Sequence, residues 1–344
     1  MSNVTRRHFI KAGSLFTAAT VLGAGYTQPA WANKRPKFRL KYANNLPISH
    51  PMNIRAKEMV EAIAAESDGE IEIRIYPSSQ LGNDTDTLAQ IRSGAVDFFM
   101  LSPIILGSLI TNTQISGVGF AFQNYDQVWG AMDGDLGAAV RQTIEDNSSL
   151  MAFEKIWDNG FRIITTSNKA IYTPEDLVGL KLRVPPSPLW TSMFRGFDAA
   201  PTTINFAETY SALQTKIADG QENPITLVES AKLYEVQKYL SVTNHMWDGF
   251  WFLANKNKFR SLPDDVQALI QKHANQAAMN ERADLVQLSL NIKDTLEGQG
   301  MVFNDVDSGP FRDKLRQAGF YEEWHKTFGN ELWGILESAV GSLS

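Results

Sequence analysis

Arg183 lies at the end of a short predicted strand, where a guanidinium could be held in a fixed position. The strand covers residues 181–184 and is followed by two prolines. Because side chains alternate along a strand, Lys181 and Arg183 share one face and Leu182 takes the other. A rigidly placed guanidinium can bind a carboxylate through two parallel hydrogen bonds. The alternative is a salt bridge or a solvated edge residue, which spacing alone slightly favours because most arginines are surface charges.

A polar segment from Asp219 to Pro224, with the sequence Asp-Gly-Gln-Glu-Asn-Pro, follows a predicted helix. Glycine and the Asn-Pro pair favour an irregular turn, and turns often carry binding groups. Asn223 could offer a ligand both a donor and an acceptor. The simpler interpretation is a helix stop.

Aromatic residues cluster between Trp247 and Phe252, beside a predicted strand. Clustered aromatics are most often part of a hydrophobic core. The functional alternative is that Trp247 and Trp251 form the wall of an apolar pocket.

The sequence carries none of the common catalytic motifs. It has no Gly-x-Ser-x-Gly, no Walker loop, no His-Glu-x-x-His and no cysteine, and its five histidines are scattered. Asp84-Thr85-Asp86 could hold a cation, but two acids at a helix start are ordinarily N-terminal caps. We therefore predict that the protein is not an enzyme and has no catalytic residue, cofactor or metal. An exported hydrolase or lyase would need a nucleophile and base, or a metal cluster.

The N-terminal 32 residues have the features of an export signal. Arg6-Arg7 precedes a small-residue apolar stretch, and Ala30-Trp31-Ala32 fits a cleavage site. The paired arginines indicate the twin-arginine type, and the stretch is too short to span a bilayer well. The formal net charge of −6 and the lack of a basic patch argue against nucleic acid as a partner.

The remaining 312 residues or so are enough for about two domains. They alternate between strand and helix patterns. Predicted strands cover residues 40–43, 71–75, 96–101, 161–165, 181–184, 204–206, 250–254 and 301–306. Predicted helices begin near residues 52, 86, 189 and 209. A long one is capped by residues 261–264 (Ser-Leu-Pro-Asp) and could continue to about Glu297 without Gly or Pro. Such alternation predicts an α/β fold with parallel strands. Two blocks of similar pattern indicate two lobes with a ligand cleft between them.

Three segments resemble the substrate-binding subunits of tripartite ATP-independent periplasmic (TRAP) transporters of the DctP type. They are residues 76–82 (Tyr-Pro-Ser-Ser-Gln-Leu-Gly), 179–185 (Gly-Leu-Lys-Leu-Arg-Val-Pro), and 207–224, which begins Ala-Glu-Thr-Tyr-Ser-Ala-Leu-Gln and ends in the polar segment above. The resemblance covers essentially the whole mature chain. It implies a class II periplasmic-binding-protein fold, with two α/β lobes, a ligand cleft and a long helix crossing both lobes.

The expected division is a signal peptide at 1–32, lobe I at 33–159 plus 248–288, and lobe II at 160–247 plus 289–344 with the C-terminal helices. The implied function is capture of a small organic-acid anion in the periplasm. The implied partners are the small and large TRAP membrane subunits, with a monomeric binding protein. The same sequence would suit a sensor that presents the acid to a membrane receptor.

The resemblance also implies particular ligand-binding residues. Arg183 and Arg162 correspond to the family's carboxylate-binding arginines, and Asn223 to an asparagine beside them. Phe206 corresponds to an aromatic that lines the pocket, and Asn45 to an asparagine after the first strand.

One departure from the family pattern narrows the expected ligand. Sialic-acid binders of this family carry a glutamate where this chain has Ser102. Trp247 and Trp251 add apolar area that a polyhydroxylated acid would not need throughout. We therefore expect a compact or partly apolar monocarboxylate, such as an oxo, hydroxy or aromatic acid.

Overall fold

The computed structural model describes residues 35–343. The predicted signal peptide, residues 1–32, lies outside the described residues. No helix between residues 35 and 343 combines the length and hydrophobicity needed to cross a bilayer.

Ten strands form the described part of the β-structure. They are β1 (Phe38–Ala43), β2 (Ile71–Tyr76), β3 (Phe98–Leu101), β4 (Leu150–Ala152), β5 (Trp157–Thr166), β6 (Lys181–Val184), β7 (Ala200–Thr203), β8 (Gly220–Pro224), β9 (Tyr239–Asn255) and β10 (Val302–Asp305). The main hydrogen-bonded order is β2-β1-β3-β9-β5-β8-β6-β7, and β4 and β10 also pair with β9. Strands β1, β2 and β3 pair in parallel, as do β6, β7 and β8. The predicted α/β architecture is confirmed.

Helices connect these strands and cover the sheet. They are α1 (Pro51–Glu66), α2 (Asp84–Ser93), α3 (Pro103–Leu106), α4 (Tyr125–Met132), α5 (Asp135–Asn147), α6 (Pro188–Gly196), α7 (Thr209–Gln214), α8 (Ile225–Ser230), α9 (Lys256–Arg260), α10 (Asp264–Ser289), α11 (Ile292–Gly298), α12 (Ser308–Gln317) and α13 (Phe320–Val340). Local signals explain several boundaries. Asn83 caps α2 through its side chain, and Gly94 ends α2 in the left-handed conformation.

Strands β5 and β9 join the two halves of the sheet. The C-terminal part of β9 pairs with β3 in one half, and its N-terminal part pairs with β10 in the other. Between them, β9 runs antiparallel to β5, with irregular register near Asp158 and Arg162. Gly160 lies at the first irregularity with φ +108°, a conformation that glycine adopts without strain. Two lobes are therefore connected through two continuous strands.

Gly249 of β9 is required by close packing. A Cβ at this position would lie 2.9 Å from the Trp157 carbonyl oxygen of β5, closer than real Cβ contacts. A glycine in a strand interior often marks such an approach of two backbones.

Buried apolar side chains of the described residues form three clusters, the smallest of which includes Ile163, Val228 and Leu296. Another cluster packs α1 and α10 against β1–β3, through residues such as Met59, Phe98 and Ile270. The largest cluster gathers α4, α5, α6 and the C-terminal helices. Helix α13 contacts α4, α5 and α6, so it packs against elements of both predicted lobes. The residue boundaries assigned to the lobes remain a prediction.

Three sequence-based element predictions were wrong, and one strand is longer than predicted. The polar segment 219–224 is not a turn, because residues 220–224 form strand β8 between β5 and β6. The strand predicted at 250–254 is confirmed, but it is only the end of the 17-residue β9. The long helix ends at Ser289 rather than near Glu297. The strand expected at 204–206 is absent, and the preceding residues 200–203 form β7 instead.

Helix α10 meets strand β5 at a pair of buried carboxyl groups. Glu281 Oε2 accepts a hydrogen bond of 2.9 Å from the Asp158 backbone N–H. Burial raises the pKa of Asp158 to about 6, and burial together with Asp158 raises the pKa of Glu281 well above its usual value. Ionisation of both carboxyls in this buried site is therefore unfavourable.

We expect Glu281→Gln to remove much of the pH dependence of stability. Raised carboxyl pKa values mean that the folded state binds more protons than the unfolded state. The free energy of unfolding therefore falls as the pH rises from about 4 through these pKa values. Glutamine keeps an acceptor for the Asp158 N–H but carries no charge. Urea unfolding at pH 4.5 and 8 should show the variant more stable than wild type at pH 8 and little different at pH 4.5. An equal effect at both pH values would contradict this account.

Candidate functional site

A narrow, partly open cavity lies where the two halves of the sheet meet. It leaves about 20 Å³ for the centres of water-sized spheres, room for about one water molecule, so a larger ligand requires the lobes to move apart. Its lining residues are Asn45, Ser102, Ile105, Asn159, Arg162, Arg183, Pro185, Trp190, Phe206, Asn223, Leu227, Asp248 and Phe250. These residues come from β5, β6, β8 and β9, from the segments after β1, β3, β6 and β7, and from helices α3, α6 and α8.

Arg183 is held in the cavity wall by strand β6. Its side chain is 1% exposed, and its Nε donates to the Ile204 carbonyl oxygen at 2.9 Å. Its Nη2 has no hydrogen-bond partner among residues 35–343, and no carboxylate of those residues lies in salt-bridge range. Burial lowers the pKa of Arg183 to about 10, so the side chain remains charged at neutral pH. This geometry fits neither a solvated edge residue nor a structural salt bridge, and it leaves a buried donor directed at the cavity.

Arg162 is fully engaged with protein carboxylates. Its guanidinium binds Glu222 through two nitrogens, including an Nη2–Oε1 hydrogen bond of 2.8 Å. Nη1 donates to Asp248 Oδ2 at 3.1 Å, and Nη2 also reaches Asn223 Oδ1 at 3.0 Å. The guanidinium carbon lies 4.3 Å from the centre of the Trp190 ring. The charge of Arg162 is thus balanced within the protein.

The charges around Arg162 explain the titration of its neighbours. Burial opposes ionisation of Glu222, but Arg162 outweighs burial and lowers the pKa of that carboxyl. Burial raises the pKa of Asp248 despite Arg162. Burial also lowers the pKa of His245, so this ring next to Glu222 is neutral at pH 7. The network therefore contributes no net positive charge to the cavity beyond that of Arg183.

Asn45 and Ser102 close the cavity from the first half of the sheet. Asn45 Nδ2 donates to Asp84 Oδ2 at 2.9 Å, and burial raises the pKa of Asp84 to about 6. Ser102 Oγ donates to Asp248 Oδ1 at 2.6 Å. Asp84 lies at the start of helix α2, as predicted from the sequence. Its side chain is buried, and it accepts the hydrogen bond that holds the Asn45 side chain in place.

Comparison with known protein families identifies the relatives of this chain. Residues 42–326 match the model of the DctP family, described as bacterial extracellular solute-binding protein, family 7. The chain belongs to the DctP family.

Several proteins similar to this chain are named for a ligand or were solved with one bound. The 2,3-diketo-L-gulonate-binding periplasmic protein of Escherichia coli is 31% identical, with 80% of this chain and 84% of that protein covered. The C4-dicarboxylate-binding periplasmic protein of Rhodobacter capsulatus is 30% identical, with 77% of each covered. The crystal structure of a sugar-acid binding protein from Advenella mimigardefordensis, in complex with galactonate, has a TM-score of 0.84 and 27% identity, and covers 89% of this chain and 98% of that one.

The DctP-family fold expected from the sequence is confirmed by solved structures that are similar to this chain. They include the galactonate complex described above and a TRAP periplasmic solute-binding protein. Of the eight site residues predicted from the sequence, the cavity brings together six: Asn45, Ser102, Arg162, Arg183, Phe206 and Asn223. Phe206 begins a short 3₁₀ turn, with its ring centre 6.0 Å from the Arg183 guanidinium carbon. Asn223 uses its Oδ1 on Arg162 and donates from Nδ2 to Gln221.

Trp247 and Trp251 do not line this cavity, contrary to the prediction of an aromatic wall. Side chains alternate along β9, so Asp248 and Phe250 face the cavity and the two tryptophans face the opposite side. Trp247 is buried against Trp129 and donates to Asp158 Oδ1 at 2.9 Å. Trp251 is buried in the same core cluster.

Sequence reasoning missed seven cavity residues: Ile105, Asn159, Pro185, Trp190, Leu227, Asp248 and Phe250. The alternation of β9 could have revealed Asp248 and Phe250, since a buried aspartate between tryptophans requires polar partners. Trp190 lies on the apolar face of α6, and nothing in its local sequence separates that face from an ordinary core face.

We expect Trp251→Phe to leave ligand affinity unchanged. Trp251 Nε1 has no hydrogen-bond partner among the described residues, so phenylalanine removes no hydrogen bond and only part of the buried ring. Isothermal titration calorimetry with any ligand that binds the wild type would measure this. A marked loss of affinity would show that Trp251 does contribute to the binding site.

Proposed function

We propose that this chain captures a small organic-acid anion in the cavity between its lobes and delivers it to the membrane subunits of a TRAP transporter. The observation that carries this proposal is the buried Arg183 in the cavity wall, whose Nη2 has no hydrogen-bond partner among the described residues. An isolated buried charge is costly, and a ligand carboxylate would provide the missing partner. A planar guanidinium suits that role better than an ammonium would.

The ligands of the relatives support the same chemistry. A diketogulonate, a C4-dicarboxylate and galactonate are named for the proteins described above, and each is a carboxylate. These acids share a carboxylate group. Among the described residues that line the cavity, Arg183 is the cation without a carboxylate partner, and it would pair with that group. We propose that Arg183 binds the carboxylate, with Arg162 and Asn223 setting the shape of the wall beside it.

Cellular location and partners complete the proposal. The twin-arginine pattern in residues 1–32 supports export to the periplasm, where the mature chain would act as a monomer without catalysis. Closing of the two lobes around the anion would use β5 and β9 as the connection, a hinge motion. The membrane subunits would then recognise the closed form.

Thermal-shift screening against a panel of organic acids tests this function. A ligand present at 100 times its Kd adds about 2.7 kcal/mol to the free energy of unfolding. We expect at least one carboxylate to raise the melting temperature in a concentration-dependent manner, and the neutral amide of the same acid to have no effect. If the amide stabilised the protein equally, the carboxylate would not be the recognised group. Mass spectrometry of the recovered ligand should show it unchanged, whereas a converted product would indicate an enzyme.

A further inference from the structure

We infer that the ligand is a hydroxylated acid with a single carboxylate, whose hydroxyl groups donate hydrogen bonds to Asn159 and Asn45. The inference rests on the proposed function and adds the chemical class of the ligand. It corrects the expectation of a partly apolar acid, which depended on Trp247 and Trp251.

The number of unpaired charges limits the ligand to one carboxylate. Among the described residues, Arg162 and Arg183 are the cations that line the cavity. Arg162 is already bound by Glu222 and Asp248, so Arg183 alone remains available. A second ligand carboxylate would face these two buried acids without a counter-charge, which is unfavourable in a site of low dielectric constant.

Two unpaired acceptors demand hydrogen-bond donors from the ligand. Asn159 Oδ1 and Asn45 Oδ1 are buried and have no partner among residues 35–343, and both residues line the cavity. Asn159 is 1% exposed and Asn45 is 7% exposed. With Arg183 Nη2, they are the buried side-chain atoms of the described lining residues that lack a protein partner.

The orientation of both amides is fixed by carboxylates. Asn159 Nδ2 donates to Asp248 Oδ2 at 2.9 Å, and Asn45 Nδ2 donates to Asp84 Oδ2 at 2.9 Å. A carboxylate accepts and does not donate, so rotating either amide by 180° would place two oxygens against each other. Each amide therefore keeps its oxygen free for the cavity.

Hydroxyl groups satisfy these acceptors, whereas oxo groups and alkyl chains do not. A ketone oxygen only accepts hydrogen bonds, and a methylene group cannot donate to oxygen at comparable strength. Leaving a buried acceptor unpaired carries a desolvation penalty. An ammonium group would also donate to these oxygens, so 2-aminobutanoate is included in the series below as the competing donor. Trp190, Phe206 and Phe250 supply the apolar surface that covers the carbon chain.

A matched series of four-carbon acids tests the inference by isothermal titration calorimetry. The series is 2,3-dihydroxybutanoate, 2-hydroxybutanoate, 2-oxobutanoate, 2-aminobutanoate, butanoate and succinate. Galactonate, hexanoate and adipate extend the comparison to six carbons. We expect the most hydroxylated monocarboxylate of a given length to bind best, with about a tenfold loss of affinity for each contacting hydroxyl removed. Succinate and adipate should bind no better than butanoate and hexanoate.

The variant Asn159→Leu tests whether Asn159 causes the preference for hydroxylated ligands. In Asn159→Leu, removal of the ligand hydroxyl that contacts residue 159 should cost little, so the difference between the hydroxylated and deoxy acids shrinks. Trp251→Phe, on the opposite face of β9, should keep the full difference. Circular dichroism would show whether each variant is folded. If Asn159→Leu does not fold, the wild-type series still tests the inference.

The outcomes separate this inference from the proposed function. Tighter binding of butanoate, 2-oxobutanoate, 2-aminobutanoate or a dicarboxylate than of the hydroxylated acids would overturn the inference and leave carboxylate capture intact. Equal binding of hydroxylated and deoxy acids would also overturn it. If no acid in either series or in the thermal-shift panel bound, both the inference and the proposed function would fail.

Discussion

Arg183→Ala is expected to weaken ligand binding by about 2–5 kcal/mol, the usual cost of breaking a buried, hydrogen-bonded charge pair. This corresponds to a loss of affinity of about 30-fold to several thousandfold. The reason is that the Arg183 Nη2 donor has no partner among the described residues, so the ligand carboxylate would provide its missing hydrogen bonds. Isothermal titration calorimetry on the folded variant would measure the change.

Two further variants show whether the effect depends on guanidinium geometry. Arg183→Lys keeps the positive charge but loses the planar fork, so it should restore only part of the affinity. Lys181→Ala removes a cation from the same strand, but Lys181 is exposed, and its loss should not alter binding. Unchanged affinity in Arg183→Ala, or an equal loss in Lys181→Ala, would contradict the assigned role.

Arg162→Met is expected to lower the free energy of unfolding by about 3–5 kcal/mol, because it leaves two buried carboxylates without their partner. Glu222 and Asp248 are 0% and 2% exposed, and Arg162 contacts both. Without the guanidinium, the pKa of each carboxyl would rise, from a lowered value for Glu222 and from an already raised one for Asp248. Raised pKa values make stability fall with increasing pH, so the cost should be larger at pH 8 than at pH 5.

Urea unfolding at the two pH values would measure this prediction. Arg39→Met provides a matched control, since Arg39 pairs with Glu72 at 3.5 Å on the exposed edge of the sheet. Exposed pairs contribute little to stability, and that variant should behave like the wild type. A small, pH-independent effect of Arg162→Met would mean that the carboxylates are neutralised by other groups.

The sequence predicted those elements whose local pattern matches their environment. Strand β2 alternates apolar and charged residues because one face is buried, and β6 was found at its predicted bounds. Strand β8 could not be predicted in this way. Its residues are polar, yet all are buried, because their partners are supplied by β5: Glu222 binds Arg162, and Gln221 donates to Thr165.

Six of the predicted site residues line one cavity, although several of the elements that carry them were predicted incorrectly. Resemblance to the family pointed to Arg183, Arg162 and Asn45, which lie far apart in the chain and meet in one cavity. The two tryptophans were misplaced because the sequence alone did not show which face of β9 points to the cavity. Asn159 gave no signal either, since its role depends on the hydrogen bond that fixes its amide to Asp248.

The alternation of β9 has a consequence for how ligand preference could evolve. Positions 247, 249 and 251 face the packed core, whereas positions 248 and 250 face the cavity. Phe250 contributes ring surface rather than ionic contacts, so exchanging it for smaller or polar residues would reshape the pocket with little disturbance to the opposite face. Selection could therefore alter ligand preference through position 250, whereas the next even-numbered residue, Phe252, stacks on Phe98 in the core and must be kept for folding. A saturation library at position 250 offers a starting point for retargeting the protein as a biosensor.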